Sequence, residues 1–289
     1  MSKIDSASKE KIKETRNLIM RFYKMNYQGI AADWKILVNE TLNDKKEEER
    51  LSILEKYIPI SKKWKILEVG AGFGNMGLFL TKKGYLYSGI EPDRECFEII
   101  QRRFKLEGIK KVPVWQAPGE DLPFGKDIFD LVISFQALEH VQDVDKVIEE
   151  CKRVSKKGSY LYLVFPNYNS FWEPHYAIFF PLFLGKSCFK LWLTIHGKNI
   201  KFLDEVNFVT IGKVKKLLKK ASYEVIDTGK GLFKYRFRPG KVPGWGQTAT
   251  LKRVASIFIR LKLNRLLASL LSLLEMHYPA NIVARKDED

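Results

Sequence analysis

The sequence is poor in cysteine and histidine, and this limits the kinds of site it can build. Its 289 residues include three cysteines and four histidines, and the cysteines lie far apart with no C-x-x-C pair. Neither a disulfide framework nor a cysteine-based zinc site is therefore predicted. The first residues are polar and charged, without the apolar stretch of a signal peptide, so we expect a cytoplasmic protein.

Two common nucleotide-binding motifs are also missing. The stretch "LGKS" at 184–187 does not form a phosphate-binding loop, because Phe180 stands where the first glycine of that motif belongs. The dinucleotide pattern G-x-G-x-x-G, counted from Gly70, would need a glycine at position 75, which is Asn75. ATP hydrolysis and a nicotinamide cofactor are both disfavoured.

Acidic residues are scarce in the second half of the chain. The whole sequence carries a formal net charge of +16, and residues 186–265 contain 19 Lys or Arg against 4 Asp or Glu. This surplus favours a partner of opposite charge, either an acidic or phosphorylated small molecule or an anionic membrane surface. The basic residues lie among Leu, Ile and Phe, and no familiar nucleic-acid-binding motif is present, so nucleic acid is not favoured.

Short apolar runs alternate with helical patterns along the chain. Strands are predicted at 64–69, 85–90, 111–116, 129–135, 159–165 and 279–286, with one more inside 210–229. Helices are predicted at 7–25, 44–58, 75–83, 93–108 and 143–158, and at the start of 210–229. The charged start of the second helix is predicted to face solvent, and the helix from Asp143 to end at Gly158. Strands and helices in this order predict an α/β fold with a parallel sheet and helices on both faces.

Residues 171–197 are rich in aromatics but do not read as a regular element. Lys186 and Lys190 interrupt the stretch, so a transmembrane helix is not predicted, and its proline and glycine content argues against a sheet element. We interpret this region as a substrate lid over the edge of the fifth strand. The predicted units are a helical cap at 1–60, a cofactor-binding core at 61–170, the lid at 171–209, and the rest of the core at 210–289 with a basic helical insertion at 230–278.

The stretch "LEVGAGFG" at 67–74 concentrates glycine after a predicted strand. Three glycines at every second position indicate a tight turn or a backbone that a ligand approaches closely. In open parallel sheets, ligands bind beyond the carboxyl ends of the strands, where this loop is expected. Glu68 would suit a ligand with an ammonium group, and Glu91, ending the second strand, could accept two hydrogen bonds from a ribose diol.

Five stretches in this order and spacing resemble the class I S-adenosylmethionine-dependent methyltransferases, particularly the subgroup acting on small molecules and glycolipids. They are "ILEVGAGFG", "GIEPD", "GEDLPF", "FDLVISFQALEHV" and "YLYLVFPN". The likeness covers 60–168 closely, and 207–228 and 280–286 loosely. It implies a Rossmann-like sheet of seven strands, mostly parallel with the last strand antiparallel, and S-adenosylmethionine as cofactor.

The resemblance also implies roles for individual residues. The methionine end of the cofactor would contact Glu68, Gly70, Gly72 and Gly74. The ribose and adenine would contact Glu91, Pro92, Gly119, Glu120 and Asp121, and the transferable methyl would lie near Phe135 and Gln136. Many relatives carry an Asp where this chain has Pro118, so Glu120 or a backbone carbonyl would replace the contact to the adenine amine.

Transfer to a hydroxyl requires a base, and two histidines are candidates. His140 follows the fourth strand and His175 follows the fifth, and histidine titrates near neutral pH. Glu173 is placed to orient His175. A metal-dependent branch of the superfamily carries E-x-x-E-H, but here Gln136 replaces the first carboxylate, so no metal site is expected.

The leading hypothesis is therefore O-methylation of a glycan, a glycolipid or another acidic small-molecule acceptor. The alternatives are C-methylation of a polyprenyl quinone and methylation of RNA or another nucleic acid. Residues 251–274 have helical composition with basic residues in the first two-thirds, so they predict either an interfacial helix on an anionic membrane or ordinary packing of leucines in the core. The basic residues of this stretch are Lys252, Arg253, Arg260, Lys262 and Arg265.

Overall fold

The computed structural model describes residues 6–26, 38–39, 41–42, 44–236 and 263–288. In these residues nine strands form a seven-stranded main sheet and a separate two-stranded hairpin. The strands are β1 (Lys65–Val69), β2 (Leu86–Ile90), β3 (Val114–Trp115), β4 (Phe129–Phe135), β5 (Ser155–Phe165), β6 (Trp172–Glu173), β7 (Ile178–Phe179), β8 (Tyr223–Asp227) and β9 (Ala280–Lys286).

The main sheet has the order β3-β2-β1-β4-β5-β9-β8. The pairs from β3 to β5 are all parallel, whereas β9 runs antiparallel to both β5 and β8. The last strand in sequence is thus the antiparallel one, which confirms the predicted Rossmann-like fold. The order reverses between β1 and β4, so the carboxyl ends of these two strands flank the crevice where open α/β sheets bind ligands.

Helices cover both faces of the sheet, as predicted. The helices of the described residues are α1 (Ser6–Asn26), α2 (Asp44–Tyr57), α3 (Asn75–Lys82), α4 (Arg94–Leu106), α5 (Val144–Val154), α6 (Lys186–Ile195), α7 (Lys201–Asp204), α8 (Ile211–Lys220), α9 (Lys230–Arg236) and α10 (Asn264–Leu273). On one face, α5 and α8 bury Val147 and Leu218 in the same cluster as Leu67. On the other face, α2 and α3 bury Leu54 and Met76 with alternate residues of the same strands.

The boundary between α5 and β5 was predicted wrongly. Asp143 caps α5 by accepting hydrogen bonds from the backbone N–H groups of Asp145 and Lys146, as expected. The helix nevertheless ends at Val154 and does not continue to Gly158, because Ser155 already pairs with Phe129 of β4. The four residues 155–158, which the amphipathic pattern assigned to the helix, therefore belong to strand β5.

The predicted lid region contains a short hairpin, a 3-10 turn at Leu182–Leu184 and the helices α6 and α7. The strands β6 and β7 pair with each other and not with the main sheet, so the expectation of no sheet element is wrong at these four residues. The hairpin, α6 and α7 share a hydrophobic cluster of their own, which includes Tyr176, Phe189 and Leu203. No helix among the described residues is long and apolar enough to cross a membrane.

The basic insertion is described only at its two ends. Residues 237–262 lie outside the described residues, and with them Lys252, Arg253, Arg260 and Lys262. In α10, Ala268 is buried beside Phe233, whereas several leucines of the helix face outward. Leu266, Leu270 and Leu273 are 68%, 50% and 75% exposed, so they do not pack as core against the described part of the chain.

Candidate cofactor and acceptor site

The glycine loop between β1 and α3 requires glycine for two different reasons. Gly70, Gly72 and Gly74 have φ values of 79°, 56° and 73°, a region that other residues rarely adopt. A Cβ on Gly70 would lie 2.5 Å from the Cβ of Ala137, so this glycine lets the loop after β4 approach β1. A Cβ on Gly72 would meet nothing within 4 Å, so this residue borders open space at the top of the sheet.

Glu91 at the end of β2 is joined directly to this loop. One of its carboxylate oxygens accepts a 2.6 Å hydrogen bond from the Gly72 N–H, and the other accepts a 3.0 Å hydrogen bond from the Asp93 N–H. The side chain is buried. Burial raises the pKa of Glu91 to about 7, although the two backbone hydrogen bonds act in the opposite direction.

Glu68 lies beneath the loop, where Tyr87 holds it. The residue is 3% exposed, and its carboxylate accepts a 2.6 Å hydrogen bond from the Tyr87 hydroxyl. A Cβ on Gly77 or Gly89 would come within 2.4 Å or 2.3 Å of Tyr87, so both glycines make room for the tyrosine. Burial raises the pKa of Glu68 to about 8, and the Tyr87 hydrogen bond lowers it in part.

The end of β4 brings Phe135 and Gln136 to the same edge of the sheet. The Phe135 ring is buried under the guanidinium of Arg50, which lies 4.5 Å from the ring centroid and is paired with Glu47 at 3.0 Å. Gln136 has a φ of 54°, and its side chain is exposed. Non-glycine residues in this conformation often mark functional sites. The predicted solvent face at the start of α2 is wrong for Glu47, which is 3% exposed.

The loop after β3 differs from the arrangement that the resemblance implies. One oxygen of Glu120 accepts hydrogen bonds from the backbone N–H groups of Gln142 and Asp143, at 2.7 Å and 3.0 Å. Glu120 thereby fixes the turn before α5. Gly119 is buried, whereas Asp121 and Pro92 have exposed side chains.

The two candidate histidines lie next to each other. His140 follows β4 and His175 lies in the hairpin between β6 and β7, and their ring centroids are 5.1 Å apart in an edge-on arrangement. The Nδ1 of His175 lies 2.7 Å from the carboxylate of Glu173. Glu173 is 1% exposed and also accepts hydrogen bonds from the Tyr168 hydroxyl and the Tyr176 N–H.

The environments of these two histidines push their pKa values apart. Burial lowers the pKa of His175, but the hydrogen bond and charge of Glu173 outweigh this effect and raise it above its usual value. The packing around His140 and the nearby His175 lower the pKa of His140, although part of its side chain is exposed.

Glu139 is the acidic member of this group that sequence reasoning did not assign. It is 1% exposed, and burial raises its pKa to about 7. Its backbone carbonyl accepts a 2.7 Å hydrogen bond from Asn207, which ties the turn after β4 to the end of the lid region. The sequence signal for Glu139 was its place in a stretch that matches E-x-x-E-H except at Gln136, and without the fold this incomplete match was insufficient.

Comparison with known proteins identifies a methyltransferase domain in this chain. A family model described as a methyltransferase domain matches residues 67–163. The match runs from β1 to β5 and includes the glycine loop, Glu91 and the end of β4. Residues 67–163 therefore form a methyltransferase domain of the class I S-adenosylmethionine-dependent type. The cofactor of this methyltransferase is S-adenosylmethionine.

Three sequence relatives show how far the likeness extends. The protein MJ1123 of Methanocaldococcus jannaschii is 28% identical over 200 residues, covering 68% of this chain and 82% of that protein. The methyltransferase YcgJ of Bacillus subtilis is 29% identical over 41% of this chain and 47% of its own length. A 2-methyl-6-phytyl-1,4-hydroquinone methyltransferase of rice, Oryza sativa, is 29% identical over 44% of this chain and 36% of that enzyme. The matches to the last two thus span less than half of each relative.

Solved structures share the fold over most of the chain. The crystal structure of YcgJ has a TM-score of 0.51 at 17% identity and covers 84% of this chain and 100% of YcgJ. A geranyl diphosphate methyltransferase in complex with S-adenosylmethionine has a TM-score of 0.52 at 13% identity, covering 84% of this chain and 85% of that enzyme. At these identities the likeness is one of fold.

Proposed function

We propose that this methyltransferase transfers a methyl group to an oxygen atom of an acidic small-molecule acceptor. The observation that carries the proposal is the group formed by His140, His175 and the buried Glu173. A hydroxyl acceptor needs polar side chains that hold its oxygen in line with the methyl group. His140 lies in the turn after β4, which follows the residues that the resemblance implies for the methyl end, and His175 lies beside it.

The residues around the glycine loop fit the cofactor. Gly72 borders open space, so a ligand can contact its backbone, and Glu91 retains lone pairs for a ribose diol while it holds the loop. Glu68 lies beneath the loop, where an approaching ammonium group would favour its ionised form. When bound, S-adenosylmethionine supplies a methyl group on a positively charged sulfur.

The loop after β3 would complete the part of the site that contacts the adenine of the cofactor. The Glu120 carboxylate already serves two backbone N–H groups, so we assign the adenine contact to the backbone of Gly119 to Asp121. Pro92 would flank the ring. At the methyl end, Phe135 and Gln136 would border the transferred group, and the arrangement of Arg50 over Phe135 would keep that wall of the crevice in place.

The acceptor would enter beneath the lid at 171–209. The lid supplies His175 and Glu173 and has its own hydrophobic cluster, so it brings polar groups to the acceptor within an apolar surround. Apolar walls exclude water from the crevice, which strengthens polar contacts and prevents hydrolytic side reactions. The positive net charge supports an acidic acceptor, since opposite charge raises its local concentration.

We also infer that the insertion at 230–278 meets an anionic membrane surface. This segment carries ten Lys or Arg and one Asp or Glu, and Leu266, Leu270 and Leu273 of α10 are exposed. Basic and apolar side chains on one segment suit the boundary between lipid phosphates and acyl chains. A membrane location would suit a lipid-linked acceptor.

C-methylation of a polyprenyl quinone is the second candidate. It is favoured by the rice relative, which is named for a phytyl hydroquinone. One experiment distinguishes the two candidates. The protein is incubated with S-adenosylmethionine carrying a deuterated methyl group and with either a small-molecule and lipid extract or total RNA, and labelled products are identified by mass spectrometry and NMR. A labelled O-methyl group on an acidic compound supports the first proposal, a labelled ring methyl supports the second, and labelled RNA contradicts both.

A further inference from the structure

Three side chains of metal-binding type converge at the acceptor end of the crevice. Glu139 and His140 belong to the turn after β4, whereas His175 comes from the hairpin of the lid region. One ligand atom from each residue lies within 4.8 Å of the other two. Metal–ligand bonds of about 2.0–2.2 Å bring ligand atoms to within about 4.4 Å of each other, so small side-chain rotations would complete a site.

The carboxylate of Glu139 is an independent indication of a missing partner. The Glu139 side chain is 1% exposed, and its Oε2 has no hydrogen-bond partner. A buried polar atom without a partner is costly, and a carboxylate oxygen more so. A cation between Glu139 and the two histidines would satisfy this atom without any change of fold.

The surroundings of His175 suit a histidine that binds a metal ion through its Nε2 nitrogen. Its Nδ1 faces Glu173 at 2.7 Å, so in the neutral ring Nδ1 carries the proton and Nε2 has the lone pair that a cation can bind in place of a proton. Glu173 is itself fixed by hydrogen bonds from the Tyr168 hydroxyl and the Tyr176 N–H. Histidine ligands of metal ions usually donate their other ring N–H to a carboxylate, a backbone carbonyl or water, and the carboxylate of Glu173 is a partner of this kind.

We propose that Glu139, His140 and His175 bind a divalent cation. Two imidazoles and one carboxylate suit zinc, manganese or ferrous iron better than magnesium or calcium, which prefer oxygen ligands. Three protein ligands leave coordination positions open. The proposal departs from the expectation of no metal, which counted Gln136 as a lost ligand and did not foresee that the fold adds His175.

The role of the cation rests on the proposed function. A hydroxyl oxygen of the acceptor would occupy an open position, where the cation lowers the pKa of the hydroxyl so that its proton passes to solvent. The oxygen then forms the bond to the methyl carbon, the carbon–sulfur bond breaks with its electron pair left on sulfur, and S-adenosylhomocysteine is released. In this account His140 and His175 act as ligands and not as bases.

Cation binding is tested on the full chain without reference to methyl transfer. The protein is treated with EDTA, freed of chelator, and titrated with Zn²⁺ by calorimetry and with Mn²⁺ by electron paramagnetic resonance. We expect one site for at least one of these cations, weakened at least tenfold by Glu139→Gln and by His175→Ala. His196→Ala is the matched control, because His196 is an exposed histidine at the end of α6, and it should bind like wild type.

The outcomes separate this proposal from the proposed function. Calorimetry with S-adenosylhomocysteine is run on the same EDTA-treated protein, and circular dichroism checks that each variant is folded. If wild type binds neither cation, or if folded His175→Ala and Glu139→Gln bind as wild type does, the metal site is wrong even where methyl transfer is found. If the cation binds as expected but S-adenosylhomocysteine does not bind, the metal site is supported and the proposed function is contradicted.

Discussion

Tyr87 donates a 2.6 Å hydrogen bond to Glu68, and both side chains are buried beneath the glycine loop. Two glycines, Gly77 in α3 and Gly89 in β2, lack the side chains that would displace the tyrosine. The pair therefore ties β1, β2 and α3 together at the site. It also places an ionisable group where water cannot easily solvate its charge.

The first prediction concerns the pH dependence of stability. The pKa of Glu68 is raised from 4.5 to about 8 by burial, so the folded state favours the neutral carboxyl. The stability from this group is present below about pH 4.5 and is lost as pH rises through about 8. We expect Glu68→Gln, which cannot ionise, to gain stability relative to wild type between pH 5 and pH 8, as measured by urea unfolding.

The matched control for this prediction is Glu49→Gln, because Glu49 is an exposed carboxylate on α2. Its difference from wild type should stay nearly constant over the same pH range. A constant difference for Glu68→Gln as well would show that Glu68 is ionised in the folded protein at all these pH values.

The second prediction separates two glycines of the loop. Alanine at Gly70 would place its Cβ 2.5 Å from Ala137, whereas alanine at Gly72 meets open space and adds only the strain of a left-handed backbone, about 1–2 kcal/mol. We expect Gly70→Ala to lower the melting temperature much more than Gly72→Ala. Gly72→Ala should instead weaken S-adenosylhomocysteine binding in calorimetry. Equal melting temperatures, or normal binding by Gly72→Ala, would contradict the geometry of the loop.

The third prediction concerns the carboxylate behind His175. Glu173→Gln keeps the shape of the side chain but weakens its hold on the His175 ring. We expect methyl transfer to fall about 10- to 100-fold, with S-adenosylhomocysteine affinity unchanged. Glu205→Gln, at an exposed carboxylate of the same lid region, is the control and should keep wild-type turnover. Equal rates for the two variants would remove Glu173 from the acceptor site.

The fourth prediction concerns the exposed leucines of α10. Co-sedimentation with liposomes rich in phosphatidylglycerol should succeed at low salt and weaken as salt rises. Replacement of Leu266, Leu270 and Leu273 together by Ser should reduce it sharply. The single variant Leu86→Ser serves as control, since Leu86 is an exposed leucine at the start of β2. A chain that stays in the supernatant at every salt concentration has no membrane role through this helix.

Much of the core could be predicted from the sequence because its signals are local. Apolar runs located β1, β2 and β4 to within a residue, and side-chain capping by Asp143 marked the start of α5. The end of α5 could not be read in this way, because it depends on the pairing of Ser155 with β4. The local sequence pattern predicts that a helix or strand is present, whereas contacts with other elements determine the residue at which it ends.

The residues of the candidate site also differ in how far the sequence predicts them. The glycines and Glu91 belong to two of the five stretches that carry the resemblance, and the structure joins Gly72 to Glu91 by a hydrogen bond. Arg50 and Glu139 carry no comparable signal, since Arg50 lies on a charged helix and Glu139 lies in an E-x-x-E-H pattern that lacks its first carboxylate. Their positions depend on how α2 and the lid region pack against the sheet, so only the folded chain identifies them.

The central claim is that the glycine loop and Glu91 bind S-adenosylmethionine. The most direct measurement is calorimetry with S-adenosylhomocysteine on wild type, Glu91→Ala and the control Glu224→Ala, whose carboxylate is exposed on the edge strand β8. We predict that wild type and Glu224→Ala bind equally and that Glu91→Ala binds more than tenfold more weakly, a loss of about 1.4 kcal/mol or more. Unchanged affinity in a folded Glu91→Ala protein would contradict the account.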